Sequence, residues 1–201
     1  MTRGIDKNPG AAPEEPRGVG RDPVAVVLER LAGRFCDVCS RVTEQVLADG
    51  PPAHDLRERL SLSCAYLLLH LVERDLGLRM PRQRVSLLVH HLTDLLACHI
   101  YGRLFRQDIV PANAKEYFTT FVEANYRLCA GQLILYPLPP ADAGRWEDQP
   151  LLMAFCDWLV QSSVPEGQSA MTSRLLWESW CDNQRFSREM TSLKDSTLPP
   201  S

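Results

Sequence analysis

The chain has 201 residues, of which 45% are hydrophobic and 23% charged, with a formal net charge of −3. That length fits one domain with a core needing no disulfide staples, and the weak acidic balance excludes a general nucleic-acid binder, which carries a basic field. The longest apolar stretch, 60–72, is too short to span a bilayer and is interrupted by Ser61, Ser63 and His70, so no membrane span is expected.

Residues 1–21 are dominated by Pro, Gly and charge without periodicity and are expected to form a disordered tail. Asp22 then suits an N-cap and Pro23 the first helical position. Val24, Leu28, Leu31, Phe35, Val38, Val42 and Val46 follow at steps of three and four, the pattern of an amphipathic helix ended by the DGPP stretch at 49–52. A CxxC, Cys36 and Cys39, falls in mid-helix, with Cys39 on the apolar stripe. Packing is the favoured reading there, because a redox CxxC gains its acidity at a helix N-terminus. A second helix is expected over 55–76, with Gly77 at its end. A third opens at Pro81 and runs to about 107. The basic turn between them, with Arg79, Arg82 and Arg84, reads as solvated.

A fourth helix, from a capping box of Asn113 and Glu116, is expected to run to about 135. A proline-rich loop leads to a fifth helix over 150–162. Ser163 and Glu166 fit a second capping box, opening a sixth helix that continues to about 190. No alternating segment suggests a strand. The expectation is an all-α, single-domain bundle of about six mostly antiparallel helices, with a domain over 22–191 and a flexible tail over 192–201.

Candidate sites follow from polar residues on these helices. On a wheel of about 100° per residue, Leu88, Leu92 and Leu95 define the stripe of the third helix, and His99 falls inside it. His99 is therefore expected to be a buried, hydrogen-bonded core residue. His91, Asp94 and Cys98 lie on one flank. On the second helix His70, Glu73 and Tyr66 share a flank beside a stripe of Leu60, Cys64, Leu67 and Leu71. If the two helices form an antiparallel hairpin, His70, His91, Asp94 and Cys98 can approach one another, a donor set suited to zinc or another transition metal. The spacing is unspecific, and local ion pairs such as His70 with Glu73 and His91 with Asp94 are the favoured alternative. Asn125 and Gln132 sit on the expected stripe of the fourth helix with Phe118, Phe121, Val122 and Cys129. Pairing that fixes the bundle's register is the favoured reading of these two amides; as the second reading, with Tyr117 and His99 they offer the few polar groups that a mostly apolar ligand pocket needs. On the sixth helix Leu176, Trp177 and Trp180 form a second apolar sector, suited either to a partner interface or to cover by the proline-rich loop with its Trp146.

No P-loop, dinucleotide fingerprint or nucleophile elbow is present. Seven cysteines, most inside apolar helical segments, and no apolar leader after the N-terminal charges suggest a reducing cytoplasm. The preferred expectation is a non-enzymatic bundle that binds another protein or itself. The alternatives are a metal- or small-ligand-binding bundle and an enzyme whose pocket is assembled across helices.

Overall fold

The computed structural model describes residues 22–48, 54–104, 112–140, 144–182, 189–190 and 192–193. The expected N-terminal tail, the stop at 49–52, the end of the third helix past 104 and most of the C-terminal tail lie outside these residues. Among the described residues there are six α-helices and no strand: α1 (Pro23–Val46), α2 (His54–Gly77), α3 (Arg82–Leu104), α4 (Ala112–Leu133), α5 (Pro150–Gln161) and α6 (Glu166–Asp182), with one 3-10 turn at Trp146–Asp148. The all-α bundle is the fold class the periodicity predicts.

The first helix forms as its pattern requires. Asp22 caps it by accepting from the Val24 amide at 2.9 Å, and Pro23 occupies the first turn. Every residue of the expected stripe, Val24 to Val46, is buried.

The centre of the fold is α2. Residues Leu60 through Val72 are buried without interruption, and α1, α3, α4 and α6 all pack against this helix. A helix that is apolar all round has no solvent face to keep. The sequence 60–72 is such a run, so the polar flank assigned to Tyr66 and His70 does not exist: both are in the core. Ser61 is buried with them and shares a hydrogen bond of 3.1 Å with Thr43 of α1.

The stripes of α3 and α4 differ from expectation by small rotations. On α3 the buried positions are Val85, Leu88, Val89, Leu92, Thr93, Leu96, Ala97 and Ile100, while Leu95 and His99 are half-buried at the edge. This helix packs on α1, α2 and α4, so its buried arc is wide. On α4 the buried residues are Val122, Tyr126, Cys129 and Leu133, with Phe121 largely exposed. The side chains of residues 112–118, including the Asn113–Glu116 box, Tyr117 and Phe118, lie outside what is described.

Between α5 and α6 the chain turns through a Schellman closure. The Val164 amide donates to the Leu159 carbonyl at 3.0 Å and the Ser163 amide to Val160 at 2.9 Å. Ser163 adopts a φ of 66° there, and Val164 and Leu159 are both buried. Ser163 thus closes α5 rather than capping α6, which starts three residues later at Glu166. Phe155 of α5 is buried and stacks on Trp158 at 5.9 Å, which meets Tyr66 of α2 edge-on.

The described part of α6 ends at Asp182; residues 183–188, over which the sequence predicts its continuation, lie outside the described residues, and 189, 190 and 192 are again helical. Beyond it Met190 and Leu193 are again in the core, so buried structure extends two residues past the expected domain end at 191. Arg84, expected in a solvated turn, is half-buried and donates to the Leu193 carbonyl. Arg79 of the same turn pairs with Asp75 at 3.0 Å.

Candidate functional site

A groove of about 480 Å³ between α3 and α4, reached by Glu73 of α2, combines apolar and ionisable side chains. The local cause is the alternation of buried and exposed apolar residues along the two helices. Leu88 and Leu133 turn inward, which leaves their neighbours Leu87 and Ile134 41% and 59% exposed on the groove's walls. Val89 and Ala130 line its floor, and Gly131 keeps α4 thin where a side chain would fill the space.

The groove's polar groups come from three helices. Tyr126 is buried and its hydroxyl donates to Glu73 of α2. Burial, then the negative charge of Glu73, push the Tyr126 phenol far above its ordinary range, so it stays a donor at any physiological pH. Glu123 accepts from Arg127 at 2.5 Å one turn along α4. His90 lies across the groove from them, its Nδ1 3.9 Å from Glu123 and its Nε2 3.8 Å from Asp94. The α3 and α4 walls are therefore tied by a mixed-charge rim above an apolar floor.

The proposed metal ligands are not brought together. His70 is fully buried in α2, whereas His91 is exposed on α3. Asp94 turns to His90 rather than His91, and Cys98 lies half-buried toward α1. Among the described residues no group of three or more His, Cys, Asp or Glu side chains is placed to hold a metal ion. The physical reason is the all-round burial of α2, which turns His70 into the core instead of onto a shared flank. Neither ring nitrogen of His70 has a hydrogen-bond partner among the described residues, so its expected pairing with Glu73 is absent as well. Burial, then the nearby Arg74, lower its pKa to about 4.

Of the expected ligand-pocket residues, His99, Asn125 and Gln132 are likewise separated, and the Tyr117 side chain lies outside the described ones. His99 faces α1, where its Nε2 is 2.8 Å from Glu29 Oε1 and its ring passes over Gly33. It is not a core residue. It lines a small recess of about 220 Å³ with Cys98 and Gly102. Asn125 is half-buried and turns its amide back to the Phe121 carbonyl at 2.7 Å, and Gln132 is exposed. Tyr126, one position on from Asn125, is the polar residue of α4 that enters the groove.

The α6 sector is closed rather than free. Leu176 and Trp177 are buried and Trp180 is half-buried against the core, so these residues present no open partner surface. Trp146 packs against the core, and the 3-10 turn that carries it touches both α5 and α6; Trp146 itself lines a recess with Ala170 and Met171, not with Trp177 and Trp180.

Cys36 and Cys39 are buried and not joined in a disulfide. Burial first, then the neighbouring Cys64 and Cys36, raise the Cys39 thiol well above its ordinary pKa, the reverse of a redox-active CxxC.

Compared with known proteins, the chain matches no family model, no curated protein and no solved structure. Among the described residues no helix is long and apolar enough to cross a membrane.

The groove was not found in the sequence because both of its apolar walls lie one residue away from core positions, Leu87 beside Leu88 and Ile134 beside Leu133. Consecutive apolar residues that exceed what one helix face can bury were the available signal.

Proposed function

We propose that this chain works as a protein-binding helical bundle, without chemistry of its own, and that the α3–α4 groove receives an amphipathic helix of its partner. The observation that carries this reading is the exposure of two large apolar side chains, Leu87 at 41% and Ile134 at 59%, in a groove that also carries ionisable groups. Such a surface suits helix-in-groove recognition, in which apolar anchors enter the groove and rim charges fix the register. Carboxylates Glu73 and Glu123 line it with Arg127 and His90, and Asp94 stands beside His90, so a partner helix with basic residues flanking its apolar face fits best. Seven cysteines, none of them in a disulfide, support a reducing, cytoplasmic setting.

The test is affinity capture from cells expressing the chain, comparing wild type with Leu87→Asp and Ile134→Asp. Val160→Asp, at an exposed position on α5, serves as control. A partner lost with both groove variants and kept with the control supports the reading. A partner retained by both groove variants, or none at all with a monomeric chain by light scattering, overturns it. A second copy of the chain is the partner if the groove variants abolish a wild-type dimer.

A further inference from the structure

The solvent side of α4 carries an apolar seam. The core side of this helix is Val122, Tyr126, Cys129 and Leu133, all buried. At about 100° per residue, the face centred about 150° away from them carries Phe121, Ala124, Leu128 and Gly131. All four are exposed, Phe121 at 42% and Leu128 at 67%. Leu135, in the turn after the helix, continues the spacing and is 86% exposed. Alternating steps of three and four make the heptad seam of a helix that packs on another helix.

A helix face turned to water is normally polar. Among the described residues α4 packs on α2, α3 and α5, and its buried side makes those contacts. The seam itself bears no charge. On one flank Asn125 donates its amide to the Phe121 carbonyl at 2.7 Å, and on the other Glu123 accepts from Arg127 at 2.5 Å. Covering the seam therefore strips water from no unpaired charge.

The seam is also complementary to itself. Large and small residues alternate along it, in the order Phe121, Ala124, Leu128, Gly131. Laid antiparallel on a second copy with Leu128 facing Ala124, the helix also sets Phe121 against Gly131, because both pairs straddle the same point, position 126. One register thus places each bulky residue opposite a small one, as a two-fold contact requires, and the small residues let the helix axes come close. A Cβ at Gly131 would meet nothing within 4 Å in this chain, so the space beside it is open to an incoming side chain. The same register brings Arg127 of the second copy level with position 125, about 3 Å along the axis from Glu123. Each Glu123–Arg127 pair then meets its oppositely running counterpart, and the charges match. A surface shaped for an unrelated helix has no need to fit its own reverse.

We infer that this outer face of α4 is a dimerisation surface whose occupant is a second copy of the chain, the two α4 helices running antiparallel about a two-fold axis near position 126. Leu87 and the α3 wall of the groove stand outside this contact, so the inference does not depend on what the groove binds.

The test is sedimentation velocity of the full chain under reducing conditions, from about 1 to about 100 μM. The wild type should show a concentration-dependent species of twice the chain mass. Leu128→Glu, a change at an exposed position that spares the core, should weaken the dimer at least tenfold. Ala124→Leu should weaken it too, since a bulky residue then meets Leu128, whereas a merely sticky apolar surface would associate more tightly. Leu87→Asp should leave the dimer unchanged, which separates this surface from the groove. A wild type that stays monomeric at about 100 μM, whatever else it binds, overturns the inference. So does a dimer indifferent to Leu128→Glu, or one unchanged or tightened by Ala124→Leu.

Discussion

Replacing His70 by Leu should stabilise the protein at neutral pH and flatten its response to acid. The imidazole sits on the central helix with 0% exposure and no hydrogen-bond partner for either ring nitrogen among the described residues. An orphaned buried polar group costs about 1–3 kcal/mol. Leucine of similar volume removes that cost and introduces a misfit of under about 1.5 kcal/mol, as volume-conserving core exchanges do. The expected net gain at pH 7 is about 1–2 kcal/mol. The pH dependence follows from the folded-state pKa of about 4 against an ordinary value of 6.5. Between these values the unfolded chain binds the proton that the folded chain refuses, so stability falls as pH drops through that window. The loss is about 2 kcal/mol between pH 7 and pH 5 and about 3 kcal/mol by pH 4. Urea unfolding followed by circular dichroism at these three pH values measures both effects. His70→Leu should start more stable and lack this part of the acid slope. A variant less stable at pH 7 by a full kilocalorie, or one with an unchanged slope, would refute the assignment of an unpaired neutral histidine.

Three further outcomes are expected. Asp22→Ala removes the cap of α1 and should lower stability by about 1 kcal/mol in urea, with Asp22→Asn recovering most of it. Ser163→Gly relieves a left-handed backbone that costs a side-chain-bearing residue about 1 kcal/mol, so the melting temperature should rise while Ser163→Val lowers it. In native protein the half-buried thiols Cys98 and Cys181 should be alkylated first by iodoacetamide, as read by peptide mass spectrometry. Cys36, Cys39, Cys64 and Cys129 should react at the rate of unfolding, since all four are buried and burial alone lifts Cys129 to about 12.

The fold was largely legible because the helix signals are local. Asp22 with Pro23 starts α1, Gly77 ends α2, and the step of three or four in α1 marks its buried face without error. The sites were not, because they depend on how many neighbours each helix has. A wheel drawn on one stripe assumes one partner, yet α1, α3, α4 and α6 all pack on α2, and of its supposed polar flank Tyr66 meets Trp158 of α5 while His70 is fully buried. The same assumption rotated α3 enough to bury His99 on paper, whereas it sits at an edge beside Glu29. On α4 a shift of about one residue exchanged Asn125 for Tyr126 as the inward polar group. Ser163 misled for a different reason. A Ser-x-x-Glu spacing marks a capping box only if the serine stays extended, and the Schellman closure of α5 takes Ser163 into the left-handed region first. The ion pair of Glu189 with Arg34 joins residues more than 150 positions apart, and no periodicity reports such a contact.

Site-specific photocrosslinking in cells tests the central claim most directly, with a photoreactive residue placed in turn at Leu87, Ile134 and Val160. Binding at the α3–α4 groove predicts one adduct of the same mass from positions 87 and 134 and none from 160. Adducts absent from both groove positions, or equally strong from Val160, would contradict it.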